Sequence, residues 1–251
     1  MTIELDSERE RAARQFRKSV RRASRWADLL GLIAILAIAK GLKPVAPHPE
    51  ENGLVNIDEV LSMNPWLAKH AGDTTPRAEE TIDIETAYLD RVHEATPVGG
   101  TTSEKMQAIA AAVRRSAARM NMLRRNLLGQ LRQDAQWRAV SDPTVRLQIP
   151  FAEYRSMHMP TTRPTHAAMS GFVARVESPL WKIVRPLNGF NCQCILLWHN
   201  RASAFRQGWQ SADGTARFDH RWPNTGAQIN FEQGRFPDAG WRGPKETMEA
   251  V

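Results

Sequence analysis

The chain has 251 residues and a mass of 28.3 kDa, with 34 Lys+Arg against 27 Asp+Glu, a net charge of +7 and a pI near 9.9. An apolar fraction of 42% supports a packed core and excludes wholesale disorder, and two cysteines exclude a disulfide-stapled secreted scaffold. A mean hydropathy of −0.46 and the lack of a long apolar run argue against a membrane protein.

Charge alternates along the chain. Residues 1–43 carry ten basic and five acidic side chains, 44–100 carry three and eleven, and 101–149 carry nine and three. Such blocks mark faces that meet different partners, or each other. In the first block Ala12, Phe16, Val20, Ala23 and Ala27 recur at helical spacing, with most arginines on the remaining faces. The helix then enters Leu29–Ala39, eleven apolar or small residues between Asp28 and Lys40. A membrane span needs about 20, so this stretch reads as the buried half of one long helix ending near Gly41. As a secretory apolar segment it is preceded by too much patterned chain, and no export signal is expected.

Residues 44–103 form an acidic, loop-rich insert, with short helices expected over Ile57–Met63 and Glu79–Val92. After the loop 97–103, Ser103 can cap and Glu104 suits the first turn of a second basic helix. There Met106, Ile109, Val113, Ala117, Met120, Leu127 and Leu131 trace one stripe, and Arg114, Arg115, Arg119, Arg125 and Arg132 lie largely off it. This helix is expected to reach Trp137 or Arg138 and to stop before Asp142-Pro143. Beyond it, Val145–Ile149 and Asn191–Trp198 alternate like strands. From residue 205 to 251, Trp209, Trp222, Phe231, Phe236 and Trp241 lie without periodicity among Gly, Pro, Asn and Asp, which reads as an extended arm docked on its own body or on another subunit.

The densest cluster of rare residue types is Arg163-Pro-Thr-His166, then Pro179-Leu-Trp181, then Arg185-Pro-Leu-Asn188-Gly189-Phe-Asn-Cys192-Gln-Cys194. This order and spacing resembles the phage Mu F-like head-morphogenesis family, the minor head proteins of tailed phages, across roughly residues 120–200. Leu187, Gln193 and Leu180 depart from the family's Pro, Arg and aromatic at those places, and Met159 and Thr161 stand where members often carry an Asp and a basic residue. The resemblance implies a minor head protein found in the virion, at the head interior or portal vertex, and in the host cytoplasm during assembly. Its implied partners are the portal protein, the major capsid or scaffolding protein, and double-stranded DNA.

Two readings of the cysteines stay open. Cys192 and Cys194, two apart on a strand, share a face with Leu196 and Trp198 and can give two thiolates to zinc, with His166 as a third ligand. For the fourth place His158 fits better than His199, which a regular strand turns away. The alternative, preferred because spacing alone does not close a four-ligand site, makes both cysteines core residues and His166 the hydrogen-bonding anchor of its turn. A Cys–His nucleophile pair, or His166 with Glu153 or Glu177, is the catalytic reading, but no phosphate-cradling loop or established motif accompanies it. No enzyme is expected. Arg155, Arg163, Arg175 and Arg185 either pair with the local acids or face nucleic acid, and Arg14, Arg17, Arg21, Arg114, Arg115 and Arg125 are the candidate phosphate contacts.

The expected fold is α+β: a basic/apolar helix over 1–43, the acidic insert over 44–103, a helix plus motif domain with short strands over 104–204, and the extended arm over 205–251. The competing functional classes are a general nucleic-acid-binding protein and a metal-dependent enzyme or toxin-associated Mu F-like domain. Only about 50 residues follow the motif, too few for an ordinary catalytic domain.

Overall fold

A computed structural model describes residues 2–41, 57–94, 102–189, 191–223, 226–232 and 236. The fold is α+β. Helix α1 (Thr2–Ala39) is followed by α2 (Ile57–Met63), α3 (Pro65–His70) and α4 (Thr75–Glu94), then by the long α5 (Thr102–Ser141) and the short α6 (Pro143–Gln148). The motif region supplies β1 (Phe151–Arg155), α7 (Pro164–Ala168), β2 (Val173–Arg175), α8 (Trp181–Val184) and β3 (Ile195–His199). The chain continues through α9 (Arg201–Arg206), β4 (His220–Arg221) and α10 (Ala227–Glu232). No described helix is long and apolar enough to cross a membrane.

The apolar half of α1 is buried, as its composition requires. Leu29, Leu32 and Ile35 are among the least exposed residues, and they share one core with Ala135 and Ala139 of α5. The two helices approach closely at Gly31. A β-carbon there would stand 2.4 Å from the Arg132 carbonyl oxygen and 2.9 Å from Ala135 Cβ. Backbone sits against backbone, so only glycine fits without separating the helices. Leu127 and Leu131 continue the predicted stripe into a second cluster with Val20, Ala78 and Ile82. Side chains of the stripe's first half, Met106 through Met120, lie outside the described residues, as does the loop 97–101.

Acidic and basic blocks meet each other. Arg21 of α1 pairs with Glu79 of α4 at 2.6 Å, Arg25 pairs with Asp58 of α2, and Arg124 of α5 faces Glu85 of α4 at 3.6 Å. Deeper in, Asp28 of α1 binds Arg138 of α5 and accepts the Gly72 N–H at 3.0 Å. Gly72 leaves room for that guanidinium, since a β-carbon would lie 2.6 Å from it.

The sheet is antiparallel, in the order β3-β1-β2-β4. Central β1 is buried on both faces. Ala152 and Tyr154 point, with Ala174, Leu196 and Trp198, into the main core against α5. Phe151 and Val173 point the other way, into a cluster with Ala204 and Trp209.

Two expectations are corrected. Val145–Ile149 is not a strand: residues 143–148 are helical, because Asp142 caps them by accepting the Thr144 N–H at 2.9 Å and Pro143 stands in the first turn. The alternation of Val145 and Leu147 was misleading, since Leu147 is 65% exposed. The second strand begins at Ile195 rather than Asn191, because β1 ends at Arg155, the partner of Ile195. In the described part of 205–251, Trp209 and Phe236 are buried in the body, so this stretch packs on its own chain, with β4 and α10 within it. Trp241 lies outside the described residues. The boundaries drawn at 103 and 204 fall inside α5 and α9, and residues from α1 through Phe236 share the main core.

Three substitutions test the helix pair and the cap. Gly31→Ala is expected to cost about 1–3 kcal/mol by overpacking in urea unfolding. Gly129→Ala, whose β-carbon would meet only Leu187 Cδ1 at 3.6 Å, is expected to hold or gain stability. Asp142→Ala should cost about 1 kcal/mol as a lost cap. Hydrogen bonds from Lys69 and Thr144 hold the Asp142 carboxyl well below the usual carboxylate range. A depressed folded pKa stabilises above the unfolded value of about 3.9 and loses that contribution as pH falls toward the folded value. The Tm gap between wild type and variant should therefore narrow below about pH 4.

Candidate functional site

Each part of the motif folds for a local reason. Arg163 precedes a proline, adopts extended geometry at φ −64° and ψ 142°, and so starts α7 with Pro164 in its first turn. The Ala167 N–H donates to the Arg163 carbonyl at 2.9 Å, which brings His166 round to the buried side. Trp181 opens α8 and is fully buried, its indole N–H donating to the Arg175 carbonyl at 2.8 Å and its ring edge-on to Phe172 at 5.2 Å. Asn188 is buried and donates its amide to the Val184 carbonyl at 2.9 Å, closing the end of α8. The Gly189 carbonyl accepts the Cys192 N–H at 3.1 Å, and this turn delivers the chain to β3.

These elements converge on Cys192, Cys194 and His166. Nδ1 of His166 lies 3.5 Å from Cys192 Sγ and 3.7 Å from Cys194 Sγ, and all three residues are buried. The hydrogen bond with Cys194 draws the Cys192 pKa down to about 4, against burial and with help from His166 and the Asn188 backbone, whereas Cys194 is pushed up by the same bond and by burial. Tyr154, which sequence reasoning missed, forms part of the wall. Its hydroxyl is buried without a hydrogen bond of ordinary geometry, and burial together with Cys194 and Cys192 raises its pKa well above the usual range. Phe236 closes the other side, with its ring edge-on to His166 at 5.4 Å and to Tyr154 at 6.0 Å.

Other expected residues fall elsewhere. His158 is exposed in a turn after β1, with φ at +48°, and is not in the cluster. It is too far along the turn to be the fourth ligand, because β1 stops at Arg155 and the chain leaves the sheet there. His199 faces away from the cysteines, as the strand alternation requires. Its Nε2 lies 3.2 Å from Glu153 Oε2 and its Nδ1 lies 3.0 Å from Ser203 Oγ. Glu153 therefore serves His199 and Arg155, not His166, and Glu177 pairs with Arg175. Burial pushes the Glu153 pKa up, but the bonds from His199 and Arg155 outweigh it and leave it below the ordinary value. This Ser–His–Glu relay ties α9 to β3 and β1.

Arg185 lies 5.1 Å over the Trp137 ring and pairs with Asp134 of α5 at 3.1 Å, almost fully buried. A pair this deep positions α8 on α5, and removing one partner would strand the other charge. Among the candidate phosphate contacts, Arg14, Arg17, Arg114 and Arg125 are exposed, although Arg125 also donates to Asn191 Oδ1 at 3.1 Å. Arg21 is engaged by Glu79, and the side chain of Arg115 lies outside the described residues. A groove of about 590 Å³ runs between α1, α5 and edge strand β3, with Arg125 and Arg132 on its α5 side.

No curated protein and no solved structure matches the chain. Residues 86–197 match the family described as Phage Mu protein F like protein. The matched segment runs from the middle of α4 through α5 and the cysteine–histidine cluster into β3, so it contains Arg163, His166, Trp181, Asn188, Gly189, Cys192 and Cys194. Residues 86–197, a little under half of the chain, are thus similar to the Phage Mu protein F like family, and the match coincides with the motif block read from the sequence.

Proposed function

We propose that the protein is a non-enzymatic minor head protein of a tailed phage or prophage, which joins portal to the inner capsid or scaffold and touches packaged double-stranded DNA. The observation that carries this reading is the family match over 86–197, which falls on the motif block and on the helix that supports it. The block is built as a stiff unit. Trp181 and Asn188 satisfy backbone groups, Arg185 is locked to Asp134, and His166 is enclosed by Cys192, Cys194 and Phe236. Rigid presentation of a surface suits a docking protein.

The groove beside edge strand β3 is the proposed protein-binding face. β3 has a neighbour in the sheet on one side only, and the lining combines Ile38 and Leu187 with Arg125 and Arg132. Exposed Arg14, Arg17 and Arg114 on the two long helices supply sequence-independent phosphate contacts. The protein is expected in purified procapsids and virions by immunoblot, with portal recovered alongside it. Its absence from particles overturns the proposal. For the DNA contact, the log Kd–log salt slope on duplex DNA should fall by about 2–3 in the Arg14→Ala/Arg17→Ala/Arg114→Ala variant, equally for unrelated sequences. An unchanged slope removes these arginines from the contact.

The relay of Ser203, His199 and Glu153 favours a second reading, a hydrolase, because Glu153 can hold the Nε2 proton of His199 and leave Nδ1 to accept from Ser203. The proposed role of the three is to fasten α9 over the sheet. A fluorophosphonate probe is therefore expected to leave Ser203 unlabelled, and stoichiometric labelling lost in Ser203→Ala would establish the hydrolase instead.

A further inference from the structure

Cys192, Cys194 and His166 are linked by hydrogen bonds, yet their three ligand atoms also converge as they would on a shared ion. Both sulfurs approach the same ring nitrogen, Nδ1 of His166, at 3.5 and 3.7 Å. A neutral imidazole nitrogen offers either one lone pair or one hydrogen, so it serves one thiol well and not two. Three ligand atoms lying within 4.8 Å of one another around a common centre are what a shared cation requires.

The distances also carry a scale. Zinc sits about 2.0–2.1 Å from nitrogen and about 2.3 Å from sulfur, which at the tetrahedral angle places nitrogen and sulfur ligands about 3.6 Å apart. The two observed separations bracket that value. Two thiolates with an imidazole form a soft set that suits zinc rather than magnesium or calcium. The surroundings are those of a closed site: the cysteines are 7% and 4% exposed and His166 2%, with the Phe236 ring over His166.

A fourth polar atom faces the cluster. The Tyr154 hydroxyl is completely buried, adjoins Cys194 and Asn188, and makes no hydrogen bond of ordinary geometry. A buried hydroxyl with only poorly aligned hydrogen bonds is costly, and a metal at the centre of the cluster gives it a stronger partner. Charge balances as well. A dication with two thiolates, a neutral imidazole and a neutral phenol has no net charge, which a buried site favours.

We propose that Cys192, Cys194 and His166 hold a structural zinc ion, with the Tyr154 hydroxyl completing a tetrahedral shell. On binding, both sulfurs coordinate as thiolates, the proton held by the Cys192–Cys194 pair going to solvent, and the imidazole coordinates through Nδ1. The ion then clamps α7 to the turn that feeds β3 and to central β1, three segments otherwise joined there by side-chain packing. The inference does not depend on the head-assembly reading, since it rests on the geometry of four side chains.

The test uses the full chain, purified and equilibrated with zinc sulfate and then dialysed. Elemental analysis is expected to give about one zinc per folded chain, and cobalt replacement should produce thiolate charge-transfer absorption and the intense visible bands of tetrahedral cobalt(II). Cys192→Ser/Cys194→Ser and His166→Ala should each lose the metal, and Tyr154→Phe should keep the charge-transfer absorption while altering the visible bands. Folded wild-type protein that retains no zinc overturns the proposal without reference to any variant. Zinc retained by the double cysteine variant also overturns it, and an unchanged cobalt spectrum in Tyr154→Phe removes the hydroxyl from the shell.

Discussion

The close contact of α1 with α5 at Gly31 is the constraint on which the rest depends. With the Arg132 carbonyl and Ala135 facing Gly31 directly, the two helices lie near enough for Leu32 and Ile35 to reach the core that also holds Trp181 and Trp198. The segment matched to the family ends at Leu197 and begins only in α4, so α1 lies outside it. Yet α1 supplies side chains to that core, and Asn200, just beyond β3, donates to the Ile38 carbonyl at 3.2 Å. The domain seen by comparison and the unit that folds are therefore not the same length of chain.

The charge blocks follow from this packing. An acidic stretch between two arginine-rich helices is placed against them, and Glu79, Asp58 and Glu85 face Arg21, Arg25 and Arg124. Exposed pairs such as Arg21–Glu79 stabilise little in water, and act more on register than on stability. Their larger effect is on the outer field. They engage Arg21, Arg25 and Arg124, while Arg14, Arg17 and Arg114 are exposed on the two long helices. Buried pairs differ: Arg185 with Asp134 and Arg138 with Asp28 tie the end of α8 and α1 to α5 one turn apart, where loss of one partner is costly.

The sequence made the long elements readable because periodicity repeats many times in them. The apolar run of α1, the Ile57–Met63 helix and the Leu127–Leu131 stripe stand where spacing placed them. Short elements carry only one or two repeats, and local capping decides them. Asp142-Pro143 turned an apparent strand into α6, and Asn64-Pro65 made α3, whose cap accepts the Trp66 and Leu67 N–H groups. Placing the first strand too early concealed Tyr154, because its alternation with Ala152 belongs to residues 151–155. The convergence of His166, Cys192 and Cys194 was legible from rare residue types in order. The Phe236 lid was not, since a lone aromatic in an irregular stretch has no period to betray its target.

Central β1, covered on both faces, has a consequence for synthesis. One face needs α1 and α5, made earlier, together with Phe236, and the other needs Trp209 and Phe218, made after the sheet's first three strands. Until α5 leaves the ribosome the Leu29–Ala39 run has no surface to cover it, and until Phe218 emerges the sheet remains open on one side. During that interval the arginines beside the run act as gatekeepers, since their mutual repulsion keeps nascent chains apart. The same basic face that remains outward in the finished fold thus shields the growing polypeptide before it has a fold.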